Sequence, residues 1–500
     1  MGRGYSETLP APTLGWNTRD PISEMKSGYA VLLDNYFPDS SRCTLRLGYR
    51  EHSSGLGAAV KTVLAWEGLT SRKLFGFAGN KIWDATTFAG SASDVTAGST
   101  ITSDIWYGQN FGGRLTIVNG ADTPRQWNGS AWADTTFTGV TQANLANIWT
   151  YRSRLYFPEI STLKVWYGGA DSISGALTSF DMQYVFRLGG TLIAGGALSR
   201  DAGSGADDVC VFASSLGEVL VYEGGYPGDT AWRLIGRYYT APPIGRRCLV
   251  SIGGDLAIVT TAGLIPMSKI IAQGRDKEAD IALTALISPT VNQAARDYGA
   301  NNGWQAIIYP RGTRGMINVP TVDASAAHQY VWNTLTGAWC RFRGMNALCW
   351  TIYNDKPYFG AADGSVYEAD VTQSDDATDI VGDIRPAFSY LRRRGMRKVF
   401  HLAKPSIVAD ATAELAVDLE VDYAEVDAAN LVSLSGDAGT AWDDGDWDDF
   451  DWAAGVQTYA TTYGVTGIGD AASLRIRSST QNVTISLNAY SLWFSKAGWL

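Results

Sequence analysis

Histidine is almost missing from this chain, with three in 500 residues, and cysteine is scarce, with five. His52, His328 and His401 stand far apart, and none sits in an HExxH pattern or beside a second ligand at metal spacing. Cys43, Cys210, Cys248, Cys340 and Cys349 form an odd, widely spaced set without a CxxC pair, so zinc-ribbon and disulfide-scaffold classes lose their support. Buried, reduced thiols are expected instead. A phosphate loop of the GxxxxGK[ST] type and a Gly-x-Ser-x-Gly elbow are also absent. No metal, cofactor or catalytic site is therefore expected. No window approaches the roughly 20 apolar residues of a membrane span, and the first residues lack the apolar core of a signal peptide. The chain is read as soluble, without a membrane span.

Helix-favouring windows rich in Leu, Ala, Glu and Lys are rare, whereas Gly (55), Trp (18) and Tyr (24) are plentiful. That combination favours many short strands joined by glycine turns, and hence an all-β protein. The net charge of -10 argues against a surface that grips nucleic acid broadly. It is compatible with a conduit for DNA, because every Lys or Arg on a lining adds a phosphate contact and therefore friction.

One unit recurs along the chain: a short apolar strand, a Gly/Asn/Asp turn, then a second strand, in most copies carrying an aromatic. It appears at 74–77 with 81–84, 115–118 with 125–128, 155–157 with 164–167, 211–213 with 219–222, 256–259 with 263–266, 316–319 with 330–333, and 357–360 with 365–368. The spacing, roughly 40 to 60 residues, is near the period of a four-stranded propeller blade. About seven blades are expected. Two copies carry paired indoles across a turn, Trp127 with Trp132 and Trp332 with Trp339, suited to filling the wedge between blades.

Residues 276–298 break the pattern: Ile281, Leu283, Leu286 and Ile287 recur at helical spacing before Pro289, and two short helices inserted between blades are expected. After residue 371 a polar linker leads into strictly alternating runs, which predict a separate β-sandwich-like domain. The expected organisation is an N-terminal arm and first strands over 1–59, a β-propeller over 60–371 and a C-terminal β domain over 372–500. The arm, with Pro10, Pro12 and Pro21, has no core of its own and is expected to pack on something else.

Two charged clusters remain. The acidic run 443–451 lacks the closing Glu of a calcium loop and reads as a solvated segment anchored by Trp442, Trp447 and Trp452. The basic run Arg392, Arg393, Arg394, Arg397 and Lys398 reads as a protein-contact surface ahead of a DNA-contact one.

Three groups of phrases together resemble the tail nozzle or packaged-DNA stabilisation proteins of short-tailed bacteriophages, including the tail tubular protein B group. The first is Gly15-Trp16-Asn17-Thr18-Arg19-Asp20-Pro21 with Leu33-Asp34-Asn35-Tyr36-Phe37-Pro38 and Leu45-Arg46-Leu47-Gly48-Tyr49. The second runs from Thr261-Ala262-Gly263-Leu264-Ile265-Pro266-Met267-Ser268 through Asn318-Val319-Pro320 to the Trp332 and Trp339 turn. The third runs from Phe359-Gly360 and Gly364-Ser365-Val366-Tyr367 into the basic region.

The resemblance implies a non-enzymatic virion protein assembled in the host cytoplasm. Its copies would form a ring, six by expectation, that retains and then passes double-stranded DNA without sequence specificity. Its partners would be the adaptor or head-to-tail connector protein and tail fibre or spike proteins. Trp16, Arg19, Asp20, Arg392, Arg393, Arg394, Arg397 and Lys398 are the candidate assembly residues. The rival reading is a propeller that binds or degrades polysaccharide, which would need a carboxylate pair at its mouth.

Overall fold

The computed structural model describes residues 4–199, 208–273, 281–426, 430–434 and 457–499. The chain is all-β and divides into two compact units. One comprises Met1–Arg50, Gln329–Met345 and Ala369–Leu500, and the other Glu51–His328 and Asn346–Glu368. This division runs across the three consecutive stretches expected from the sequence: residues 329–345, from the middle of the chain, belong with its two ends.

The second unit carries the β-propeller arrangement. Six sheets of at least four strands act as blades, opening with the strands Thr62–Glu67, Tyr107–Phe111, Trp149–Tyr151, Leu192–Leu198, Gln305–Tyr309 and Cys349–Tyr353. Leu249–Ile252, Asp255–Thr260 and Gly263–Pro266 form a further sheet of three strands. Successive strands pair antiparallel, as short glycine turns permit. Where the chain enters and leaves this unit, Leu56 N–H donates to Gly364 O (3.1 Å) and Val60 N–H to Ala361 O (2.9 Å). A Cβ at Gly360 would lie 2.6 Å from Val60 O, so only glycine allows this approach.

One of the two indole pairs packs between blades as its spacing predicts. Trp127 and Trp132 lie 5.9 Å apart, and Phe75 of the neighbouring blade sits 4.9 and 5.0 Å from them. Together with Trp66, Phe77 and Trp106 they fill one buried cluster between two sheets. The other pair, Trp332 and Trp339 at 5.1 Å, belongs to the first unit. The hairpin at 316–333 therefore begins in one unit and ends in the other, which periodicity alone could not show.

Of the expected helical insert, residues 276–280 lie outside the described residues. The remainder is a single 3-10 turn, Ala285–Ile287, and one helix, Ser288–Tyr298, with Pro289 in its first turn and Val291, Ala294 and Ala295 buried. A second short helix, Met267–Gln273, precedes it.

The first unit is built from two sheets. One runs Tyr36–Pro38, Cys43–Leu45, Ile485–Trp499, Met396–Ala409 and Gln457–Tyr459, with Tyr5–Pro10 beside Ile485–Trp499 and Tyr463–Gly469 beside Met396–Ala409. The other runs Trp339–Phe342, Tyr29–Asp34, Ile380–Pro386, Ala472–Thr480, Ala413–Val421 and Leu431–Leu434. The arm expected to lack a core is thus a strand, with Tyr5 opposite Phe494 and Pro10 opposite Ala489. Its alternating Tyr5, Glu7 and Leu9 supply the inward face that proline counting obscured.

Arg46 joins three stretches of this unit. Its side chain is fully buried, and Nη1 and Nη2 grip the Asp375 carboxylate at 2.7 and 2.6 Å. Nε donates to Asn35 Oδ1 (2.9 Å), Nη1 to Leu47 O (3.0 Å) and Nη2 to Arg343 O (2.7 Å). All five guanidinium donors are engaged, the condition for burying such a charge without a large net penalty. Asn35 holds its place in the left-handed region (φ 59°) and accepts a second bond from the Arg343 N–H (2.7 Å). A Cβ at Gly48 would fall 1.9 Å from Ser374 O.

Arg46→Ala should therefore destabilise this unit by about 3–5 kcal/mol, because Asp375 is left buried and unpaired. Urea unfolding would check this, and Arg46→Lys should recover little of the loss, since an ammonium cannot reproduce the fork. The five cysteines are buried, and burial pushes the Cys349 thiol up to about 11 and Cys248 up to about 12. At pH 8 these two stay protonated, so Ellman's reagent should report almost no thiol until denaturant is added.

Candidate functional site: assembly residues and the propeller channel

The candidate assembly residues all lie in the first unit, in three different environments. Trp16 is core: it is 3% exposed, its indole N–H donates to Val31 O (3.0 Å), and its ring lies 5.7 Å from Tyr330 with the Arg341 guanidinium 5.5 Å away. Arg19 and Asp20 occupy a turn shaped by Asn17, whose Oδ1 accepts both their backbone N–H groups (3.0 and 3.1 Å). Hydrogen bonds from Asn17, then Arg19, hold the Asp20 carboxyl below its usual range.

The basic run is largely engaged within its own unit. Arg392 pairs with Glu7 (2.7 Å), Arg393 lies 4.1 Å from the Tyr5 ring centroid, and Arg394 grips both oxygens of Glu24 (2.6 and 3.2 Å). Those contacts fasten the N-terminal strand and the following turn. Leu391 and Arg392 both take positive φ (49° and 58°), which turns the guanidinium groups toward them. Lys398 is fully buried, donating to the carbonyls of Arg393, Met396 and Asp470 and to the Asp470 carboxylate (2.6–3.0 Å). Among the described residues of the run, Arg397 alone is exposed with a side chain that makes no hydrogen bond, ion pair or ring contact. The acidic run 443–451 lies outside the described residues, and among those described no cluster of three His, Cys, Asp or Glu could hold a metal.

In the propeller unit, the opening strands of five of the six blades, together with that of the three-stranded sheet, line a cavity of about 460 Å³, through Leu64, Tyr107, Trp149, Ala194, Gln305 and Leu249. The wall at Ala194–Ala197 is kept small by packing, since a Cβ on Gly195 would fall 2.3 Å from the Trp149 ring. Two adjacent cations interrupt this mostly neutral lining. Arg247 Nη2 donates to Thr62 Oγ1 (2.7 Å) and Trp106 O (3.2 Å), and its guanidinium lies 5.7 Å from the Tyr107 ring. Arg246 reaches only two carbonyls, Asn119 O at 3.4 Å and Ala146 O at 3.5 Å.

A smaller cavity of about 90 Å³ shares Tyr107, Arg246 and Arg247 as walls and adds Lys61, Trp304 and Asp323. Among the described residues no carboxylate pairs with Arg246 or Arg247. The sequence reading missed this pair. Its signal was modest: Pro242-Pro243-Ile244-Gly245 running into two consecutive arginines, inside an acidic chain and ahead of a strand.

No protein-family model matches this chain, and no curated protein matches it. Among solved structures it is similar to the WD40 β-propeller domain of Doa1 (11% identity, TM-score 0.41, 64% of this chain and 97% of that one). It is also similar to BamB from Moraxella catarrhalis (11%, 0.37, 67% and 93%) and to Saccharomyces cerevisiae Sqt1 (11%, 0.36, 67% and 100%).

Exposed ion pairs contribute roughly 0–1 kcal/mol each. Replacing Arg392, Arg393 and Arg394 together by Ala should leave the thermal midpoint nearly unchanged while amide exchange over Tyr5–Pro10 quickens. Lys398→Met should behave oppositely, costing about 3–5 kcal/mol through the stranded Asp470 carboxylate. Equal effects from both variants would show that the run works as one patch.

Proposed function

We propose that this chain is a structural subunit of a short-tailed phage tail, of the nozzle type, whose copies close into a ring around the exiting genome. In this reading the three-stranded sheet at 249–266 counts as a seventh blade, and the two sheets of the first unit are the faces of a sandwich. The work is mechanical: the ring holds DNA in, seats against an adaptor protein, carries fibres or spikes, and opens a path at infection.

One observation carries the reading. The phrases that resemble the nozzle family serve, in this chain, as joints of the scaffold. Asp34 and Asn35 bond Arg341 and Arg343, Arg46 grips Asp375, and Gly48 admits the Ser374 carbonyl. Residues spent on joints suit a load-carrying subunit. The net charge of -10 suits a lumen past which DNA must slide.

Native mass spectrometry and negative-stain imaging of the purified chain test the proposal. Closed rings, six copies by expectation, support it. A monomer at all concentrations that clears a polysaccharide overlay would replace it with the enzyme reading, and an inert monomer would remove the ring.

A further inference from the structure

Elsewhere in the chain, deeply buried arginines carry carboxylates. Arg46 has Asp375, and Arg475 has Asp383 (3.1 and 2.9 Å). Arg246 and Arg247, which are half-buried, have no carboxylate at ion-pair distance among the described residues. Two consecutive guanidinium groups face one cavity system, and Lys61 joins them in the smaller chamber, where Asp323 is the only carboxylate among the residues that line it. Asp323 accepts the Asn302 N–H (3.0 Å) and makes no ion pair with the three cations, which therefore outnumber the carboxylates of the lining. Like charges gathered around one half-open cavity repel, and an anion entering it relieves that repulsion.

The two arginines are not equivalent. Arg247 is a strut, bonded to Thr62 and Trp106, which belong to two neighbouring blades. Arg246 meets its carbonyls only at the limit of hydrogen-bonding distance, which leaves most of its fork unspent. A guanidinium fork matches two oxygens of a tetrahedral oxyanion better than it matches a single carbonyl. The adjoining chamber of about 460 Å³ is large enough for a small organic body behind that anion.

We propose that the propeller channel holds a binding site for a small phosphorylated anion, gripped by Arg246 with Lys61 and Arg247 around it. Free phosphate groups and a nucleotide share the recognising chemistry. The proposal stands whether or not copies of the chain form rings.

Isothermal titration of the full chain with inorganic pyrophosphate, and separately with ADP, tests it. One site per chain is expected, weakening as salt rises. Arg246→Gln should reduce affinity at least tenfold and Lys61→Gln severalfold, while Arg19→Gln, in the other unit, changes nothing. Equal affinity for pyrophosphate and ADP assigns the site to the phosphates alone, and clearly tighter ADP assigns it to a nucleotide whose body enters the larger chamber. Absence of binding by either probe at millimolar concentration overturns the proposal. Binding that survives the Arg246→Gln, Lys61→Gln double variant also overturns it, provided circular dichroism shows the variant folded.

Discussion

The Arg46 guanidinium, sealed from water with all five N–H groups engaged, is the constraint around which the first unit is arranged. Its partners come from residues 35, 47, 343 and 375, so stretches far apart in the chain must arrive at one point before the charge is satisfied. The requirement propagates. Asn35 takes a left-handed conformation to offer its oxygen, Gly48 stays bare to admit the Ser374 carbonyl, and Gly344, at φ 97°, lies where a Cβ would crowd Asp375. Hydrophobic burial supplies more of the stability, but it does not specify which segments meet.

The propeller unit solves a different problem with different means. Its sheets are local hairpins, each nearly complete within a few dozen residues, and the joints between them are aromatic wedges such as the one around Trp127 and Trp132. Closure is a distant step, made where Leu56 and Val60 bond the backbone near Gly364 and Ala361. Local sheets joined by apolar wedges leave the inner strands free to carry polar groups. That freedom allows the channel to hold two arginines that neither blade packing nor closure consumes in full.

Both units hold buried ion pairs, such as Arg46 with Asp375 in the first and Arg237 with Glu218 in the second, yet individual cations differ in how fully they are answered. In the first, nearly every buried or half-buried cation has a named acceptor, including Lys398 among three carbonyls and one carboxylate. A run that looks like a basic patch in sequence is thereby divided into a core lysine, arginines that fasten the arm from the surface and one exposed arginine whose side chain has no partner among the described residues. In the second, Arg246 has acceptors only at the margin of bonding distance. The count of charges in a segment thus says little about the charge that segment offers to a partner.

Period-2 alternation, glycine-bearing turns and recurring indoles are local properties, and they made the all-β class, the blade hairpins and the wedge role of Trp127 and Trp132 readable from the sequence alone. The same local signals could not reveal that residues 329–345 belong with the chain ends, or that Trp16 is core, because both depend on partners hundreds of residues away. Helix Ser288–Tyr298 was legible through Pro289, whereas the helical spacing from Ile281 to Ile287 yields only the 3-10 turn Ala285–Ile287, and Met267–Gln273 is too short to show a period. Whether a lysine or arginine is spent or free is decided only when the fold brings acceptors to it. Lys398 and Arg246 are equally charged in sequence, and tertiary structure alone gives one four oxygens within 3.0 Å and the other two carbonyls at 3.4 and 3.5 Å.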